Sequence, residues 1–99
     1  MVTIVWDTWR KAGTETERLR LTRQVWSDMK RFDGYLSHQI LVDEDAPGHV
    51  MAIATWRSRS DADAVRSKYK DSETIRQLTP LLARPRERWV VREERTTSV

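Results

Sequence analysis

The 99-residue chain contains no cysteine and no asparagine, and only three glycines. Without cysteine no disulfide or thiolate–metal site can reinforce the fold, and the absence fits a cytoplasmic protein. Three glycines leave no Walker loop and no Gly-rich dinucleotide turn. No stretch approaches the roughly 20 apolar residues of a membrane span. Met1 leads straight into Val2–Trp6 with no basic region and no long apolar run, so no secretory signal is expected. Histidine is scarce too: His38 and His49 are the only two, and no H-E-x-x-H or Cys/His cluster provides a metal site.

Charge and tryptophan are abundant. The net charge is +3, and acids interleave with the bases, as in Arg84-Pro85-Arg86-Glu87-Arg88. That mixture predicts a solvated, salt-bridged surface rather than a polyanion-binding patch. Five tryptophans in 99 residues must line a core, an interface or a pocket. The length predicts one domain, 1–99.

The pattern predicts the order β-α-β-β-α-β. Val2–Arg10 reads as a strand, rich in Val, Ile, Thr and Trp. Thr14 and Glu17 have the spacing of a capping box for a helix over 15–31. Leu21, Thr22, Val25, Trp26 and Met29 share one face of that helix, with Arg18 as the only charge and its head expected to reach water. Asp33-Gly34 closes the helix. Tyr35–Asp43 and His49–Arg57 form a hairpin about the turn residues 44–48. Ser60 is the expected cap of a second helix, and Asp71-Ser72 of a short third one that Pro80 breaks. Trp89–Glu94 is the last strand, and 95–99 a frayed tail. The fold class is therefore α+β: a ferredoxin-like, four-stranded antiparallel sheet with helices on one face.

Strand periodicity speaks to the other face. Val2, Ile4 and Trp6 alternate with Val5 and Trp9, and Val50, Ala52, Ala54 and Trp56 with Met51 and Ile53. A half-solvated sheet alternates apolar with polar instead. The second face therefore needs cover, and a second copy supplies it, giving a homodimeric α/β barrel. RNA-recognition modules share the strand order, but small aliphatics of the third strand stand where their stacking aromatics would be, so no nucleic acid is expected. Trp6, Trp26, Trp56, Tyr35 and Tyr69 are left as walls of a cavity for a small aromatic ligand, or as ordinary core. His38 alternates with Leu36, Ile40 and Val42 on an apolar face. An unperturbed imidazole titrates near pH 6.5, so His38 is either a general base or a satisfied core histidine.

The runs Asp33-Gly34-Tyr35-Leu36-Ser37, Asp45-Ala46-Pro47-Gly48, Thr55-Trp56-Arg57-Ser58 and Leu81–Trp89 resemble the antibiotic-biosynthesis monooxygenase family. The resemblance spans nearly the whole chain. It implies a dimeric α/β barrel that oxygenates a phenol or quinol without metal, flavin or haem as a prosthetic group. Trp56 matches a family Trp, and Arg76 a family Arg that would hold a phenolate or developing superoxide. Ala52 and Ala62 stand where characterised members carry an Asn and a Tyr. Haem-degrading members use an Asn, a Trp and a His, where this chain has Trp6, Tyr69 and Thr79. With no asparagine in the chain, that haem route is disfavoured. The expected function is cofactor-independent oxygenation of an aromatic small molecule, with a non-catalytic ligand-binding or accessory dimer as the alternative.

Overall fold

The structure, a computed structural model, describes residues 1–98. Strand β1 (Val2–Trp9) leads to helix α1 (Glu15–Met29). The hairpin β2 (Tyr35–Val42) and β3 (His49–Trp56) follows. Then come α2 (Arg59–Tyr69), α3 (Glu73–Leu78), a 3-10 turn over Thr79–Leu81, and β4 (Glu87–Val91). All neighbouring strands are antiparallel, in the order β2-β3-β1-β4. The α+β, ferredoxin-like reading holds. Arg95–Ser98 carries no regular element, and Val99 of the expected tail lies outside the described residues.

The inner face is set by period two. Ile4, Ala52, Ala54 and Trp56 are buried in one core with Leu21, Val25 and Trp26 of α1 and Val65 and Leu78 of α2 and α3. Small Ala52 and Ala54 at the sheet centre let the large rings of neighbouring positions fill the layer. The chain turns into β2 through Gly34, whose φ is +89°. A side chain there would stand 2.5 Å from the Asp61 β-carbon, so both the conformation and the close approach to α2 call for glycine.

Several local expectations are corrected. Thr14 precedes α1 but makes no cap: its hydroxyl donates to the Lys11 carbonyl at 2.6 Å, and Glu17 pairs with Arg20 instead. The α2 cap is Ser58, not Ser60; its Oγ accepts from the Asp61 amide at 3.1 Å and donates to the Asp61 carboxylate at 3.0 Å. An extended residue must precede a helix, and Ser58 is that residue because the sheet ends at Trp56. β4 begins two residues before the expected Trp89. Arg18 does not reach water: it is 1% exposed, and its Nε and Nη1 have no partner among the described residues. Burial lowers its affinity for the proton, and the neighbouring Arg10 charge lowers it further.

The outer face is left uncovered by the chain's own helices. Val5, Met51 and Ile53 are partly exposed there, and Leu41, Trp89 and Val91 are exposed. Its polar groups are tied to one another. His49 Nδ1 lies 3.0 Å from Asp43, and Nε2 pairs with Asp7. Trp9 stacks flat on the imidazole at 4.1 Å, with Arg84 above the indole.

Candidate active site

A cavity of about 400 Å³ opens between the sheet and the helices, on the side of β1, β3 and β4. Its walls include Trp6, Trp26, Trp56 and Tyr69, with Val25 and Ile75 between them. Each side chain arrives by its element's own repeat. Trp6 and Trp56 occupy inward positions of β1 and β3, Trp26 follows Val25 on the buried stripe of α1, and Tyr69 lies one turn beyond Val65 on α2. Trp6 and Trp26 meet edge to face with centroids 6.0 Å apart, which leaves ring faces free to border the space.

Two polar features interrupt this apolar lining. Tyr69 Oη donates to Asp28 Oδ2 at 2.5 Å, and burial followed by the Asp28 interaction raises the phenol's pKa above its usual range. Trp26 is buried, and its indole N–H has no acceptor among the described residues. A buried donor left unpaired costs about 1–3 kcal/mol, so this group is held at the cavity wall against a standing penalty.

Cations form the other border. Arg66 and Lys70 from the end of α2, and Arg86 and Arg88 from β4 and the segment before it, all line the space; no carboxylate does. Arg88 is paired, donating to Asp63 at 3.1 Å and so tying β4 to α2. Arg86 is not paired with any acid among the described residues. Its guanidinium lies 5.5 Å above the Trp6 ring and donates to the Thr79 hydroxyl at 3.0 Å. Desolvation weakens its hold on the proton, but an arginine remains cationic at neutral pH.

The sequence-predicted site residues divide into three groups. Trp6, Trp26, Trp56 and Tyr69 are brought together at the cavity. Tyr35 and His38 stand beside it without lining it: Trp26 stacks on His38 at 5.5 Å, Tyr35 packs on Trp56 at 5.9 Å, and Tyr35 Oη lies 2.6 Å from His38 Nδ1. Burial, aided by the Lys30 charge, depresses the His38 pKa and holds the ring neutral. Arg76 is exposed on α3, pairs at 3.9 Å with Glu73 and does not line the cavity. Its helix presents Ile75 and Leu78 inward, which turns Arg76 to solvent. Sequence reading missed Asp28 and the four lining cations Arg66, Lys70, Arg86 and Arg88. Strand alternation could have found Arg88, which shares the inward parity of β4 with Val90, but Arg86 precedes the strand and only its contacts with Trp6 and Thr79 place it.

No family model matches the chain, and no curated protein does. Its fold, by contrast, matches solved structures closely. SnoaB, a cofactor-independent oxygenase from Streptomyces nogalater, aligns with a TM-score of 0.85 at 18% identity, covering 96% of this chain and 94% of that one. Rv0793 from Mycobacterium tuberculosis aligns at 0.79 and 20% identity, covering 98% of each chain. An antibiotic biosynthesis monooxygenase of solved structure aligns at 0.75 and 18% identity, covering 94% of this chain and 98% of that one. At these identities the likeness establishes a shared fold.

Proposed function

We propose that this protein is a cofactor-independent monooxygenase that oxidises an aromatic, quinol-type small molecule with O₂. The observation that carries the reading is the cavity wall of Trp6, Trp26, Trp56 and Tyr69, in the fold that SnoaB also has. A phenolate or quinol anion is electron-rich enough to reduce O₂ itself. The substrate supplies the electrons, one oxygen atom ends in the product and the other leaves as water. The protein then has to bind, orient, accept a proton and stabilise charge.

Each task has a residue. The rings clamp a flat ligand. The substrate hydroxyl donates to Tyr69 Oη, whose own proton is already directed at Asp28, so the proton moves along a two-step relay with the carboxylate as terminus. Trp26 Nε1–H supplies a neutral donor to a ligand oxygen, the role left open by the missing asparagine. Arg86, unpaired and half-buried against Trp6, supplies the fixed positive charge assigned from sequence to Arg76. His38 supports Trp26 from behind rather than acting as the base.

The working form is a homodimer in the cytoplasm. The exposed Leu41, Trp89 and Val91 on the uncovered sheet face support pairing, and the lack of cysteine fits that compartment. No helix of the described residues is long and apolar enough to cross a membrane.

Oxygen uptake with a panel of naphthoquinols and anthrones tests the function. Protein-dependent uptake above autoxidation is expected; no stimulation on any member contradicts it. A second reading, non-catalytic binding, draws on the neutral, laterally placed His38. It predicts tryptophan quenching by a ligand that is recovered unchanged.

A further inference from the structure

We infer that the ligand carries a permanent anionic group, an aromatic carboxylate in the simplest case, which Arg66, Lys70 and Arg86 recognise at one border of the cavity. The inference rests on the reading of this cavity as the ligand site, not on the oxygenation itself.

Positive charge is concentrated there to a degree that the linear sequence hides. Four cations and no acid line the cavity. Take those four away and the chain's net charge of +3 becomes −1. Elsewhere six bases, Arg10, Arg20, Arg31, Arg57, Arg59 and Arg76, each meet a carboxylate. Of the four at the cavity, only Arg88 does so among the described residues, through Asp63.

The end of α2 offers a local reason for cations, because a helix C-terminus favours them. That reason covers Lys68 equally, yet Lys68 does not line this cavity. It has no bearing on Arg86, which arrives from the segment before β4. A half-buried guanidinium without a counter-ion is costly. In a weakly polar cavity its attraction for an anion is far stronger than in water. Stabilising one developing phenolate or superoxide needs one such charge. Arg66 and Lys70 are exposed at the rim and solvated there, but with Arg86 they give the cavity more positive charge than that task requires and no acid beside it, an arrangement suited to a ligand that brings its own carboxylate. The aromatic body then lies on the tryptophans and the oxyanion meets the planar fork of arginine, which suits it geometrically.

Calorimetric titration of the full chain without oxygen, using 2-naphthoate and the neutral 2-naphthylmethanol, tests this. The carboxylate is expected to bind at least tenfold more tightly, with the advantage shrinking as salt rises. In the Arg66→Ala/Lys70→Ala double variant and in Arg86→Met the affinity ratio should fall toward one; the double variant changes exposed side chains only, so its folding is not at issue. Equal affinities, an unchanged ratio in all variants, or binding of neither probe at millimolar concentration overturns the inference. A carboxylate preference with no turnover of any quinol leaves it standing and removes the oxygenase reading. Equal turnover of neutral and carboxylated quinols does the reverse.

Discussion

The two faces of the sheet use charge in opposite ways. On the outer face His49 is held between Asp43 and Asp7 and capped by Trp9, so its polar atoms are satisfied within the fold. On the inner side Arg66, Lys70 and Arg86 border an aromatic cavity without a carboxylate among its lining residues. Groups that satisfy one another contribute to stability. A half-buried charge without a counter-charge, such as that of Arg86, is costly to the fold and available to a ligand, and the exposed Arg66 and Lys70 extend the positive charge to the rim. Aromatic content does not separate the faces, since Trp9 and Trp89 lie outside while Trp6, Trp26 and Trp56 lie inside. What differs is where the acids lie: Asp7 and Asp43 hold His49 outside, whereas no acid lines the cavity inside.

Substitutions can break this contrast, beginning with the largest effect. Trp56→Ala removes a large ring from the inner layer at the end of β3, where it is 3% exposed. It should cost about 3–5 kcal/mol, read by urea denaturation, and a loss below about 1 kcal/mol would show that the layer is not packed as described. Arg86→Gln should lower kcat/KM on a responsive quinol by about a hundredfold, with little change in melting temperature. If stability drops while turnover holds, the charge serves structure as the outer cluster does. Arg18→Met removes a buried guanidinium with two unpaired nitrogens and should raise stability by about 1–2 kcal/mol.

The smallest effect belongs to the outer cluster and depends on pH. His49 is held above the ordinary imidazole value of 6.5, first by Asp43 and then by Asp7. A raised folded value means that its contribution is complete below pH 6.5 and is lost as pH rises through the folded value. Asp43 is held below its ordinary 3.8, first by His49, so its share is present above that pH and is lost as the solution is acidified through the lowered value. Melting temperature should therefore decline modestly above pH 6.5, and His49→Gln should flatten that decline. An unchanged slope in the variant would show that the cluster is not an ion pair.

The architecture was legible because it rests on local periodicity. Alternation in β1 and β3 and the stripe on α1 placed three of the wall tryptophans correctly relative to the sheet. Misplaced details were those settled by tertiary competition. Ser58 outcompeted Ser60 because β3 ends at Trp56, and Thr14 lost its cap because its hydroxyl turned to Lys11. The charged part of the site was the least legible. Arg76 looked suitable by resemblance, but helical phase turned it to solvent beside Glu73. Arg86 sat in an acid–base run that reads as surface, and only the approach of Trp6 and Thr79 gives it an interior setting. Asp28 is 41 residues from Tyr69 in the chain, and no spacing rule connects them.

The central claim is that the aromatic cavity delivers its ligand to oxygen. Incubating the protein with an anthrone under ¹⁸O₂ and weighing the product by mass spectrometry tests it most directly. The account predicts one labelled oxygen atom in the product, formed faster than in a protein-free control and suppressed in Arg86→Gln. Recovery of unlabelled anthrone, or labelling at the protein-free rate, would contradict it.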